Sequence, residues 1–122
     1  MPAVAVVGAS ADRSKFGNKA VRAYLRQGWT VYPIHPKEAA IEGQKAYRSV
    51  TEAPRPIDRI ALYVPPEIGI KLLDDIASVK AQEIFINPGA ENDALLEKAE
   101  ALGLPAVQAC AIVDVGESPS TL

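Results

Sequence analysis

The chain has 122 residues, a formal net charge of −2, one histidine and one cysteine. A lone cysteine forms no internal disulfide, which fits a reducing cytoplasmic compartment, and one histidine with one cysteine builds no structural zinc cluster. No Lys/Arg stripe marks a nucleic-acid partner, no apolar run approaches the ~20 residues that span a membrane, and no basic-then-apolar leader opens the sequence.

The first element is the apolar run Ala3–Val7, a buried strand that breaks into Gly8-Ala9-Ser10. A helix is expected from Asn18 to Gln27, with Val21, Tyr24 and Leu25 on its buried face and Gly28 as its left-handed cap. Thr30–Ile34 reads as strand two, and residues 41–47 as a turn and an irregular excursion. Pro54-Arg55-Pro56 leads rigidly into strand three, Arg59–Tyr63, which Val64-Pro65-Pro66 closes. The helix after it, Glu67–Ser78, places Ile68, Leu72 and Ile76 four apart on a stripe that should lie on the sheet. Glu83–Ile86 is strand four, ended by Asn87-Pro88-Gly89. Asp93–Leu102 is a helix capped by Gly103, and Ala106–Ala109 is strand five. Strands that alternate with helices predict an α/β, Rossmann-like doubly wound domain: a five-stranded, mainly parallel sheet with helices on both faces. The domain is expected over residues 1–116, with 117–122 as a flexible tail.

In such a sheet, ligands bind beyond the carboxyl ends of the strands, where strand order reverses. Gly8-Ala9-Ser10, His35-Pro36-Lys37, Val64-Pro65-Pro66, Asn87-Pro88-Gly89 and Cys110 each follow a predicted strand. A strand that breaks into a glycine-led loop and then a helix presents unpaired backbone N–H groups to a phosphate. The same turn also serves as plain strand-to-helix punctuation. The dinucleotide fingerprint G-x-G-x-x-G fails here, because Ser10 and Arg13 stand where its later glycines belong, and Gly17 comes late. The longer loop carries Ser10, Arg13, Ser14 and Lys15, whose hydroxyls and cations suit phosphate oxygens. After strand two there is no carboxylate for a ribose 2′-OH, and His35 and Lys37 stand there instead. A cation at that place fits a phosphorylated ribose, so the two candidate ligands are NADP and coenzyme A.

Val6-Val7-Gly8-Ala9-Ser10, Ser14-Lys15-Phe16-Gly17-Asn18, Val31-Tyr32-Pro33-Ile34-His35-Pro36, Tyr47 with Ile57-Asp58, Val64-Pro65-Pro66 and Cys110 follow one another in an order that resembles the stand-alone CoA-binding domain family. That family is similar to the N-terminal domain of the succinyl-CoA synthetase alpha subunit and to NDP-forming acyl-CoA synthetases. Two departures stand out: His35, where many relatives carry Asn before the proline, and Asn87-Pro88-Gly89, where the synthetase domain has a more acidic loop. The resemblance implies that Gly8, Ala9, Ser10, Ser14, Lys15, Phe16, Gly17 and Asn18 form the phosphate-binding segment. It further implies that His35, Pro36 and Lys37 border the adenine and 3′-phosphoribose, and that Val64, Pro65 and Pro66 line the pantetheine arm, with Ile86, Asn87 and Cys110 nearby.

The phosphorylatable histidine and ATP-grasp region of the synthetases lie outside the domain resembled, so a complete ligase reaction is not expected. Gly-x-Ser-x-Gly is absent, and the single histidine follows strand two, which leaves no nucleophilic triad. The expectation is a small module that binds CoA or an acyl-CoA as carrier, sensor or enzyme partner. An NADP-linked oxidoreductase and a Rossmann-like interaction protein without ligand are the alternatives. Cys110 is either a small buried hydrophobe or a thiol that meets the thiol end of CoA in a mixed disulfide.

Overall fold

The computed structural model describes residues 2–122. Five parallel strands form the central sheet: β1 (Ala3–Val7), β2 (Thr30–Ile34), β5 (Arg59–Leu62), β6 (Glu83–Ile86) and β7 (Ala106–Gln108), lying in the order β2, β1, β5, β6, β7. Between β2 and β5 a short antiparallel hairpin, β3 (Ala40–Ile41) with β4 (Gln44–Lys45), stands where the sequence predicts an irregular excursion. It is legible only in three dimensions, since Ile41 is its one buried apolar anchor.

All five residues of β1 are buried. A central parallel strand covered on both faces reads as a continuous apolar run, which is why sequence located it. Its side chains divide between two cores. Ala5 and Val7 join Leu73, Ile76 and Val79 of α2 (Pro66–Val79) and Leu95 and Ala99 of α3 (Asp93–Ala101). Val4 and Val6 join Ala20, Val21 and Tyr24 of α1 (Phe16–Arg26) and Ile112 of α4 (Ala111–Asp114) on the opposite face. Helices therefore cover both faces, as a doubly wound sheet requires.

The register aligns the strand ends at the site. Val7 pairs with both Ile34 and Leu62, Leu62 with Ile86, and Ile86 with Gln108, so the strands end in one row. Strand order reverses beside β1, and β2 and β5 flank the loop that begins at Gly8. The chain after β2 is pinned by an isolated bridge: His35 N donates to Tyr47 O and Tyr47 N to Pro33 O, both at 2.9 Å.

Several boundaries differ from the sequence reading. The first helix begins at Phe16, two residues before the expected Asn18, because Lys15 is still extended. The third strand of the sheet ends at Leu62, yet Tyr63 N still donates to Val7 O at 2.8 Å. Ile68 is 51% exposed rather than laid on the sheet, since the first turn of α2 overhangs the strand ends. Residues 119–121, expected in a loose tail, form a 3-10 turn, with Lys19 Nζ donating to Pro119 O at 3.1 Å and Leu122 packed against the α1 core.

Candidate functional site

The loop from Gly8 to Lys15 is shaped by nested side-chain turns. Ser10 Oγ accepts from Asp12 N at 3.0 Å, and Asp12 Oδ1 accepts from Ser14 N at 3.0 Å and Ser14 Oγ at 2.7 Å. The Ser14 hydroxyl and amide hold the Asp12 carboxyl below its usual range. Ser14 spends its hydroxyl proton on Asp12, whereas the proton of Ser10 stays free to donate. At the end of the loop Asn18 N and Lys19 N bond to Lys15 O, so the amides of Phe16 and Gly17, first in α1, have no intrahelical acceptor. No side chain caps this helix and no acidic residue stands in its first turn, which leaves its positive end available to an anion.

Behind the loop stands a brace. Asn18 is fully buried; its Nδ2 donates to Ser10 O at 2.9 Å and to Glu42 Oε2 at 3.0 Å, and its Oδ1 accepts from Arg22 Nε at 2.7 Å. Arg22 Nη2 donates to Arg13 O, and Arg13 pairs with Glu42. Glu42 occupies the hairpin turn at φ +49, a conformation uncommon for a non-glycine residue. The Asn18 amide and then the Arg13 guanidinium keep the Glu42 carboxyl below the usual glutamate range. Loop carbonyls are thus held from behind, and Asn18, expected as a ligand contact, is turned inward.

Three adjoining cavities form one groove along the strand ends. The central one, about 630 Å³, is lined by Gly8, Ala9, Ser10, Ser14, Lys15, Phe16, Gly17, His35, Pro36, Tyr63, Val64 and Pro65. Through Phe16, Tyr63 and Pro65 it meets a cavity of about 350 Å³ that ends at Asn87, Pro88, Gly89 and Cys110. Through Gly8, Ala9, His35, Pro36 and Val64 it meets a third, of about 360 Å³, walled by Ile34, Val50, Ile68, Leu72 and Ile76.

Most of the residues expected at the site therefore share one groove, and four do not line it. Asn18 braces the loop, Pro66 opens α2, and Lys37 lines none of the three cavities. Ile86 is 1% exposed and lies on the α2–α3 face, because side chains alternate along β6 and this one points into the core. Asn87 is 2% exposed and knits the sheet end together. Its Nδ2 donates to Leu62 O at 3.0 Å and its Oδ1 accepts from Ala111 N at 2.8 Å, which fixes the start of α4 beside Cys110. His35 Nδ1 accepts from Lys37 N at 3.0 Å and Glu38 N at 2.9 Å, so it shapes the turn after β2.

Tyr63, Arg48, Val50 and Ile68 also line the groove, with no motif in the sequence to mark them as site residues. Tyr63 follows directly in register from a strand end, and that position was its available signal. Its hydroxyl is buried with no hydrogen-bond partner among the described residues, and burial, more than the nearby Cys110, raises its pKa beyond the tyrosine range. Arg48 and Val50 reach the groove only because the Tyr47 bridge folds that segment back, which no local pattern encodes.

The alpha subunit of an ADP-forming acetate–CoA ligase II from Pyrococcus furiosus is 42% identical over 63 residues, 51% of this chain and 14% of that protein. A conserved hypothetical protein of Pyrococcus furiosus superposes with a TM-score of 0.86 at 32% identity, covering 93% of this chain and 99% of that one. A dinucleotide-forming acetyl-coenzyme A synthetase 1 from Ca. Korarchaeum cryptofilum superposes at 0.76 with 31% identity, over 88% of this chain and 25% of that one. The chain thus spans a small fraction of the length of these ligases. The sequence profile of the CoA binding domain matches residues 2–116, nearly end to end. With the glycine loop at the reversal of strand order, this match places the chain in the CoA-binding domain family.

Proposed function

We propose that this chain binds coenzyme A or an acyl-CoA in the groove along its strand ends, and that it holds the ligand without breaking a bond in it. The observation that carries the reading is the Gly8–Gly17 loop, whose free helix-end amides and Lys15 face the central cavity in a domain of the CoA-binding family. The pyrophosphate lies against this loop, where amides and a cation offset its charge. The nucleoside end extends past His35 and Pro36, and the pantetheine arm runs along Val64 and Pro65, past Phe16, towards Cys110.

The way His35 is employed supports the binding role. His35 Nδ1 already accepts two backbone N–H bonds, so it is a turn-former rather than a base paired with a nucleophile. Among the described residues no group of three or more His, Cys, Asp or Glu side chains is placed to hold a metal ion. Holding a ligand for presentation to an enzyme partner uses the groove as it stands.

Calorimetric titration of ligand-stripped protein with CoA, acetyl-CoA and NADP tests the reading. Saturable binding of CoA or acetyl-CoA is expected, with NADP far weaker. At one hundred times its dissociation constant the ligand should stabilise the fold by about 2.7 kcal/mol in a parallel unfolding measurement. Binding of NADP in preference, or of none of the three, would overturn it.

A further inference from the structure

The third cavity has a chemistry of its own. Its walls are aliphatic side chains from three elements and a loop: Ile34 of β2, Val50 of the 3-10 turn Val50–Glu52, Val64 of the loop before α2, and Ile68, Leu72 and Ile76 of α2. Its volume of about 360 Å³ is that of a small-ligand pocket. Ile68, half exposed at the rim, is an apolar surface that a flat ring would cover. The charged side chains in its wall are Arg48 and Asp75, which are not paired with each other.

Arg48 is set apart from the other arginines. Arg13 pairs with Glu42, Arg22 with Asn18 and Arg13 O, Arg26 with Glu117, and Arg59 with Glu83 and Asp114. Among the described residues only Arg48 and Arg55 have no hydrogen-bond or ion-pair partner, and Arg55 lines none of the cavities. The backbone of Arg48 is fixed on both sides: Tyr47 is bridged to the end of β2, and Ser49 Oγ caps the following 3-10 turn by accepting from Thr51 N at 3.2 Å. A guanidinium with its five donors unused, held beside an apolar pocket, suits a phosphomonoester on the ribose of a nucleotide whose planar base fills that pocket.

We infer that Arg48, rather than Lys37, reads the 3′-phosphate of the nucleotide, and that the third cavity takes the adenine. This rests on the CoA reading above and assigns its phosphate selectivity to one side chain. Lys37 lines none of the three cavities, and its main-chain N–H donates to His35 Nδ1.

The experiment titrates wild type, Arg48→Gln, Lys37→Gln and Arg55→Gln with CoA, dephospho-CoA and adenosine 3′,5′-bisphosphate, with thermal unfolding as the check on folding. Wild type should favour CoA over dephospho-CoA by tenfold or more, the order expected of one charge-assisted contact. Arg48→Gln should abolish most of that preference and weaken the bisphosphate alike, leaving dephospho-CoA affinity and unfolding temperature near wild type. The two other variants should keep the preference. Retention of the full preference in Arg48→Gln overturns the inference while the CoA reading stands, as does equal wild-type affinity for CoA and dephospho-CoA. Binding of none of the probes by wild type overturns both.

Discussion

Gly17 and Gly8 meet backbone to backbone: a Cβ on Gly17 would stand 2.1 Å from the Gly8 carbonyl oxygen. That is far inside van der Waals contact, and the obstacle is main chain, which cannot swing aside. Gly8 itself sits at φ +92, in the region that favours glycine. The late glycine of the loop is therefore a packing requirement. It lets α1 start against the end of β1 and so brings the helix N-terminus to the groove.

Gly17→Ala should push α1 off the first strand. A loss of about 2 kcal/mol or more is expected from denaturant unfolding, since steric conflict with a fixed backbone is among the mechanisms that produce large effects. CoA affinity should fall with it. Unfolding and binding indistinguishable from wild type would refute the close approach.

Asn18 gives a second prediction. Replacing it with Ala removes one partner from each of Ser10 O, Glu42 and Arg22, although Glu42 keeps Arg13 and Arg22 keeps Arg13 O. Losing these three bonds at a fully buried position should cost about 1–3 kcal/mol. Asn18→Asp is expected to be the more damaging change. It removes both N–H donors and sets a carboxylate against Glu42. Equilibrium unfolding of the two variants checks the order, and an aspartate at least as stable as the alanine would contradict it.

The strands were readable because their burial is simple. Val4 to Val7, Ile60 to Leu62 and Ile84 to Ile86 are apolar runs enclosed on both faces, and a run of that kind has few other solutions. What sequence could not supply is direction. An asparagine amide serves a ligand or a carbonyl equally well, and only the fold turns Asn18 towards Ser10 O. Ile68, Leu72 and Ile76 do share a stripe, as their spacing predicts. The stripe runs off the end of the sheet, so it walls a cavity as well as packing the core. Arg48 was invisible because a bridge between residues 34 and 47 creates its position, and non-local pairing leaves no trace in local composition.

Acid should weaken the brace with a predictable sign. Glu42 has a folded pKa below its unfolded one, chiefly through the Asn18 hydrogen bond and then Arg13. Its contribution is therefore present above the ordinary glutamate pKa of about 4.3 and is lost as pH falls through the lower folded value. Asp12, lowered by Ser14, acts in the same sense. Glu42→Gln should flatten the acid limb of a stability-against-pH curve below about pH 4.5 without removing it. An unchanged slope in Glu42→Gln would mean that the carboxylate is not held in solution as it is here.

His35 provides the last prediction, and it separates a structural role from a chemical one. Its Nδ1 accepts from both Lys37 N and Glu38 N, which is the service an asparagine side-chain oxygen gives in a turn. An asparagine here would offer the same acceptor on a different carrier. His35→Asn should keep both stability and CoA affinity within about twofold of wild type. His35→Ala leaves two amides without their acceptor and should cost about 0.5–2 kcal/mol, the range seen when a side-chain acceptor of backbone amides is truncated. CoA binding should then weaken, because Pro36 and the turn after β2 border the groove. Were the imidazole needed for proton transfer, or for stacking on the base, asparagine would fail as badly as alanine. Calorimetry on the two variants side by side distinguishes these cases.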